Sequence, residues 1–152
     1  MSYAIIGFGE IGQTLAKAFA RNGIEVSVAT TRDPESLASD AAAIGPEVTA
    51  KTFAEAPRRT PFFWLSVLNH IRMSRKALPS WQGKTIVDVT NAYGVPDEDL
   101  GGQPSARVIA RAFTGARVVK GFNHLAAAVL GRPRPVTGRT WRQESRVPGE
   151  RR

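Results

Sequence analysis

The chain has 152 residues, room for one domain rather than two, and its 42% hydrophobic content is enough for a buried core, which excludes disorder of the whole chain. It has no cysteine, which excludes disulfides, thiol nucleophiles and zinc-ribbon sites. The formal net charge is +8, but residues 131–152 hold seven arginines against two glutamates, so the first 130 residues carry only +3 and no basic groove for nucleic acid is expected.

The first thirty residues predict a strand, a helix and a second strand. Tyr3–Ile6 is an apolar run far too short for a signal peptide or a membrane span, so we expect a soluble cytoplasmic protein without a membrane partner. Residues 11–20 place apolar side chains at helical spacing, and Asn22 and Gly23 end that helix. Residues 24–29 alternate and are rich in β-branched side chains, as in a strand.

The rest of the chain continues this alternation of strands and helices. Asp33 is placed to cap a second helix, and Ser105 is placed to cap a later helix that runs through Phe113. Residues 92–104 are rich in glycine and proline and are predicted to be a loop. Four further strands are predicted at residues 47–50, 62–68, 85–89 and 118–119. The pattern indicates the α/β class, with a Rossmann-type doubly wound parallel sheet in a single domain over residues 1–130.

A glycine motif follows the first strand. Gly7, Gly9 and Gly12 have the G-x-G-x-x-G spacing of dinucleotide-binding loops, after a strand and at the start of a helix. The first glycine permits a tight turn, the second lets the backbone approach a pyrophosphate, and the third lets the helix pack closely on the sheet. The predicted binding segment is Gly7, Phe8, Gly9, Glu10, Ile11 and Gly12. The alternative is a flexible glycine turn that binds no ligand.

The end of the second strand favours NADP(H) over NAD(H) as the cofactor. NAD-binding proteins usually place a carboxylate about 20 residues after the motif, where it accepts hydrogen bonds from the ribose hydroxyls. This chain has Thr30, Thr31 and Arg32 there. Two hydroxyls and a guanidinium suit a 2′-phosphate, which arginine binds as a fork. The alternative is that Arg32 is a solvated loop charge beside Asp33.

These residues and two later segments resemble the NADP oxidoreductase family that depends on coenzyme F420, an 8-hydroxy-5-deazaflavin. The family is related to the N-terminal domains of pyrroline-5-carboxylate reductases and to 3-hydroxyisobutyrate dehydrogenases. The later segments are Val-Asp-Val-Thr-Asn at 87–91 and Val-Val-Lys-Gly-Phe-Asn at 118–123, so the resemblance spans residues 3 to about 130. It implies that Thr90, Asn91, Lys120 and Asn123 line the cleft beside the nicotinamide.

The resemblance also implies the type of reaction. Hydride passes directly between the nicotinamide and a small-molecule acceptor or donor of deazaflavin type, which requires no general base or covalent nucleophile, so no catalytic residue is assigned. No metal site is predicted, because His70 and His124 lack the spacing of metal ligands. Asp88, at a strand end, is interpreted as a structural hydrogen-bond acceptor. No feature of the sequence specifies the acceptor or the oligomeric state.

Two segments depart from the family pattern. Residues 58–76 have the length but not the residues of the family's fourth strand, and residues 131–152 replace the strand and helices expected after the last helix. Reading the codons of residues 59–76 one nucleotide earlier permits Asp-Ala-Ile-Phe-Leu-Ala-Val, and reading one nucleotide later from Arg146 permits Val-Phe-Leu. Both readings resemble the family, which favours frameshifts over divergence. The sequence therefore predicts a domain whose C-terminal part is missing and whose catalysis is impaired.

The C-terminal residues 131–152 are predicted to be a disordered tail, rich in arginine, proline and glycine. Deleting residues 132–152 is expected to leave the melting temperature and the NADPH affinity unchanged, because a segment with so few apolar residues cannot offset an ordering cost of roughly 1–2 kcal/mol per residue. The deletion should also remove most nonspecific binding to DNA or acidic resins. A melting temperature lowered by several degrees, or tail amides protected in hydrogen exchange, would contradict this prediction.

Three functions remain open at this point. The first is an NADP(H)-binding oxidoreductase domain with a small-molecule hydride acceptor or donor. The second is a non-catalytic dinucleotide-binding module, and the third is a basic interaction protein that works through its tail. Titration with NADPH separates the first two from the third.

Overall fold

The computed structural model describes residues 3–58, 62–64, 71–92 and 94–132. The strands are β1 (Tyr3–Ile6), β2 (Val26–Ala29), β3 (Val48–Ala50), β4 (Phe62–Trp64), β5 (Thr85–Asp88) and β6 (Arg117–Lys120). The helices are α1 (Glu10–Ala20), α2 (Glu35–Ile44), α3 (Ile71–Ser74), α4 (Asp97–Leu100), α5 (Ser105–Ala112) and α6 (Ala127–Leu130), with a 3₁₀ turn at Ala56–Arg58.

The six strands form one sheet in the order β3-β2-β1-β4-β5-β6, and every neighbouring pair is parallel. This order confirms the predicted Rossmann-type doubly wound α/β sheet. The strand order reverses beside β1, whose Ile5 pairs with Val28 of β2 on one side and with Phe63 of β4 on the other. Ligands of open α/β sheets bind outside the carboxyl ends of the strands at such a reversal, so the fold itself indicates where a site belongs.

Alternate side chains of β1 enter two hydrophobic cores, one on each face of the sheet. Ile5 packs on one face with Leu15 of α1 and Leu37 of α2. Ile6 packs on the other face in the cluster that contains Phe113, the residue that follows α5. Both faces of β1 are therefore covered, as is typical of parallel strands in α/β proteins.

Trp81 and Phe113 form the aromatic part of the second core. Their rings meet edge to face with centroids 4.8 Å apart. The indole Nε1 of Trp81 donates a hydrogen bond to the carbonyl of Arg75 at 2.9 Å, which satisfies the polar atom of a side chain that is otherwise buried. The pair anchors the end of α5 to the segment before β5.

Two sequence expectations about helix starts and one about a loop are wrong. The carboxylate of Asp33 does not cap α2. Its backbone carbonyl is the acceptor instead, bound by the Ser36 amide at 3.0 Å and by the Ser36 hydroxyl at 2.7 Å. Ser105 is the first residue of α5 rather than its cap, because Pro104 occupies the cap position in an extended conformation. Within the predicted loop 92–104, residues 97–100 form α4, whose acidic first turn favours a helix N-terminus.

Several sequence predictions lie wholly or partly outside the described residues. The strand predicted at 62–68 is described only over Phe62–Trp64, where it pairs with β1 and β5 and makes the sheet continuous. His70 and residues 133–152 of the predicted tail are not described. Within the described ranges, no helix has both the length and the apolar character needed to cross a membrane.

Candidate functional site

The glycine loop lies at the carboxyl end of β1, beside the end of β2. Gly7 has φ of 104°, a conformation that favours glycine, and its amide donates to the carbonyl of Ala29 at 2.8 Å. This bond ties the loop to the end of β2, whose Ala29 is the register partner of Ile6. The loop and the segment after β2 are therefore neighbours at the same edge of the sheet.

The second glycine of the motif has no reason within the described protein to be glycine. Gly9 has φ of −79° and ψ of −165°, an extended conformation open to any residue, and a Cβ built there would meet no described atom within 4 Å. The Gln13 amide makes the first intrahelical bond, to the Gly9 carbonyl at 2.9 Å, so the amides of residues 10–12 precede the helical ladder. A space free of described atoms thus adjoins a row of amide donors at the positive end of α1.

The other residues of the motif complete the turn. Phe8 is buried in the core that covers α1, and its carbonyl accepts a hydrogen bond from Gln13 Nε2 at 3.2 Å. Gly12 is buried in α1, as close packing of helix and sheet requires, whereas Ile11 is half-buried and Glu10 is exposed. Glu10, in the first turn of α1, complements the helix dipole but adds a negative charge near the amides.

The segment after β2 presents a cation to solvent. Thr31 and Arg32 are exposed, and the Arg32 amide donates to Thr30 Oγ1 at 3.1 Å. The Thr30 hydroxyl therefore shapes the turn, while the side chains of the next two residues are free of any hydrogen bond within the described part of the chain. A guanidinium on a short loop at the carboxyl edge suits an anionic ligand group.

A buried carboxylate organises the ends of β5 and β6. Asp88 is 0% exposed. Its Oδ1 accepts hydrogen bonds from the Thr90 amide at 2.9 Å and the Thr90 hydroxyl at 2.8 Å, and its Oδ2 forms an ion pair with Lys120 Nζ at 2.9 Å. Lys120 Nζ also donates to the Thr90 carbonyl and, at 3.5 Å, to Ser105 Oγ. The structural interpretation of Asp88 agrees with this bonding.

Two asparagines, one after each of these strands, are hydrogen-bonded to each other. Asn91 Nδ2 donates to the Asn123 carbonyl at 2.8 Å, and Asn123 Nδ2 donates to Asn91 Oδ1 at 3.1 Å. These bonds use one N–H of each amide, so within the described part of the chain the second N–H of each and Asn123 Oδ1 have no hydrogen-bond partner. These groups, two N–H donors and one oxygen acceptor, could hydrogen-bond a planar amide.

The thirteen residues predicted to bind the cofactor fall into two groups along one edge of the sheet. One group follows β1 and β2, the other follows β5 and β6, and β4 lies between them.

Sequence reasoning missed Ser105 as a partner of Lys120. It also missed Phe122, which is the non-glycine residue with positive φ, 59°, among the described positions. Neither has a local sequence signal. Among the described residues, no group of three His, Asp or Glu side chains is arranged to hold a metal ion.

The chain matches a family profile and several solved structures. The profile described as NADP oxidoreductase coenzyme F420-dependent matches residues 2–92. A hypothetical protein of Sinorhizobium meliloti is similar at 35% identity and a TM-score of 0.78, over 87% of this chain and 66% of that one. A protein of Arthrobacter sp. FB24 described as an F420-dependent NADP reductase is similar at 27% identity and a TM-score of 0.69, over 85% and 65%.

A more distant similarity comes from a reductive aminase of Aspergillus terreus, solved with NADPH and ethyl-5-oxohexanoate. It is 25% identical with a TM-score of 0.60, over 79% of this chain and 39% of that chain. This chain thus spans slightly less than two thirds of the length of each of the two bacterial proteins. A search of curated protein sequences gives no significant match.

Proposed function

Because the chain belongs to the coenzyme F420-dependent NADP oxidoreductase family, we propose that it binds NADP(H) along the carboxyl edge of its sheet and serves hydride transfer between the nicotinamide and a deazaflavin-like acceptor. The observation that carries the proposal is the space at Gly9, which holds no described atom, beside the amides of residues 10–12 at the reversal of the strand order. The bound cofactor would supply or accept the hydride. The protein's part is to bind and orient it.

In this proposal the pyrophosphate lies against the first turn of α1. The amides that precede the helical ladder donate to phosphate oxygens, and the helix dipole adds a favourable field. Gly9 keeps the backbone bare where the phosphates approach. The glycine loop is held to the end of β2 by the bond from the Gly7 amide.

The Asn91–Asn123 pair is proposed to face the carboxamide of the nicotinamide. A carboxamide has one acceptor and two donors, and the pair offers two N–H groups and one oxygen in return. Hydrogen bonds to the carboxamide would fix the rotation of the ring and thereby which face presents its hydride. Asn123→Ala is a direct test of this contact because it removes both the donor and the acceptor.

Arg32→Ala is expected to lower the affinity for NADPH about ten- to a hundredfold and to leave the affinity for NADH nearly unchanged. A charge-assisted hydrogen bond to the 2′-phosphate contributes roughly 1.5–3 kcal/mol, and NADH has no phosphate there. Fluorescence titration with both nucleotides measures the change. Arg111→Ala is the matched control, since that exposed arginine lies in the last turn of α5, away from the carboxyl edge. Equal losses for NADPH and NADH would place Arg32 outside the phosphate site.

Catalysis is tested separately from binding. Purified protein that oxidises NADPH in the presence of coenzyme F420 would support hydride transfer to a deazaflavin. Micromolar NADPH binding without turnover on F420, on flavins or on imines would favour the non-catalytic dinucleotide-binding module instead.

The proposed frameshifts are tested by resequencing the coding DNA across the codons of residues 58–76 and 131–152. Confirmed frameshifts would account for an absence of turnover.

A further inference from the structure

Two of the residues predicted to bind the cofactor, Thr90 and Lys120, have few hydrogen-bonding groups left for a ligand. An ammonium has three N–H donors. Lys120 Nζ directs them to Asp88 Oδ2, the Thr90 carbonyl and Ser105 Oγ. Thr90 spends its amide and hydroxyl on Asp88 and its carbonyl on Lys120, and it is 8% exposed. The bonds of Thr90 are thus satisfied inside the protein, whereas the Lys120 side chain is 30% exposed but its ammonium is directed to these three acceptors.

We propose that Asp88, Lys120 and Thr90 are positioning residues that set the geometry of the Asn91–Asn123 pair for the nicotinamide half of the cofactor, and that they do not touch the cofactor themselves. The inference rests on the proposed NADP(H) binding. It assigns to the buried carboxylate of Asp88 a role in the cofactor site that acts through its neighbours.

The route from the carboxylate to the asparagines is short. Asp88 and Lys120 are register partners at the ends of β5 and β6, and the Gly121 amide donates to the Asp88 carbonyl at 3.0 Å. The Asp88–Thr90 bonds fold the segment after β5 into a turn immediately before Asn91. Each asparagine therefore follows, three residues later, one member of an ion pair that holds the ends of β5 and β6 together.

A second observation agrees with tight positioning at this point. Phe122 holds φ of 59°, which is unfavourable for a bulky residue and persists only where the surroundings enforce it. It is flanked by Gly121, bonded to Asp88, and by Asn123, bonded to Asn91. An apolar pair in place of Asp88 and Lys120 would give comparable stability but not the directional bonds that fix the two loops.

The test compares NADPH with 2′,5′-ADP, which carries the adenosine and its 2′-phosphate but lacks the nicotinamide. The variants are Lys120→Met, Asp88→Asn and the double variant, each in the full chain. Each variant is expected to lower the NADPH affinity about tenfold while the 2′,5′-ADP affinity stays within about twofold. The double variant should lose no more than either single one, because both substitutions break the same unit. Lys84→Met, before β5 at the opposite edge of the sheet, is the control and should change neither affinity.

Other patterns overturn the inference. A loss with Lys120→Met that Asp88→Asn does not reproduce would mean that the ammonium contacts the cofactor directly. Equal losses for NADPH and 2′,5′-ADP would mean a general structural role, and unchanged affinities would mean no role. If Asp88→Asn fails to fold with an uncompensated ammonium, the double variant still has to match Lys120→Met. Wild-type protein that binds neither nucleotide would overturn the proposed function and this inference together, whereas wild-type binding with unaffected variants overturns the inference alone.

Discussion

Gly9→Val is expected to abolish binding of both NADPH and NADH while the protein stays folded. The extended backbone at Gly9 accommodates a valine, and its Cβ would meet no described atom within 4 Å. The branched side chain would instead fill the space that the pyrophosphate needs beside the α1 amides. We expect more than a hundredfold loss of affinity for each nucleotide in fluorescence titration, and for 2′,5′-ADP a smaller loss, since it has no pyrophosphate.

The melting temperature separates loss of binding from loss of fold in this experiment. Valine at the cap position of α1 should cost no more than roughly 1 kcal/mol relative to glycine. Gly9→Ala provides the graded control, because a single methyl obstructs the phosphates less than the isopropyl group of valine. Nucleotide binding retained by Gly9→Val would remove the main support for the dinucleotide site.

Phe113→Ala is expected to lower the free energy of unfolding by about 3–5 kcal/mol. Phe113 is 0% exposed, lies edge to face against Trp81 and belongs to the cluster with Ile86 and Ile109. Truncation to alanine removes this contact and leaves a cavity between α5 and the sheet. Since small domains have total stabilities of about 5–15 kcal/mol, the variant should be largely unfolded or close to it.

Chemical denaturation measures the loss, with two variants for comparison. Phe113→Leu retains most of the apolar volume and should cost clearly less than alanine. Val119→Ala, on the edge strand β6 with 47% of the residue exposed, should change the stability by less than about 1 kcal/mol. A similar cost for Phe113→Ala and Val119→Ala would show that the second core is not packed as described.

The fold was predictable from the sequence wherever one local pattern carried the information. β1, α1 and β2 were expected within a few residues of their observed bounds, because an apolar run, helical spacing and the glycine motif follow one another without interruption. Helix starts were less predictable. Pro104 takes the cap position that Ser105 was expected to hold, and the carbonyl of Asp33 accepts the bond that its carboxylate was expected to accept. Residue type alone therefore does not predict which residue caps these helices.

The site was predictable as a set of segments but not as a bonding network. Asn91 and Asn123, and Asp88 and Lys120, are each separated by 32 residues along the chain. No periodicity indicates which of their atoms meet. The family resemblance implied that these segments share one cleft, but only the structure distinguishes Lys120, whose three donors all have acceptors, from the asparagines, which each use one of two N–H donors within the described part of the chain. The positive φ of Phe122 is likewise set by tertiary bonds rather than by its sequence neighbours.

The central position of β1 has a consequence for synthesis of the chain. During translation β1 emerges first and can pair with β2 as soon as β2 follows, but its other edge has no partner until β4 has also left the ribosome. Through that interval a strand destined for the middle of the sheet exposes a row of free backbone amides and carbonyls. Pairing between distant segments is also slow. We therefore expect aggregation and chaperone binding to be strongest while only the N-terminal half of the chain has left the ribosome.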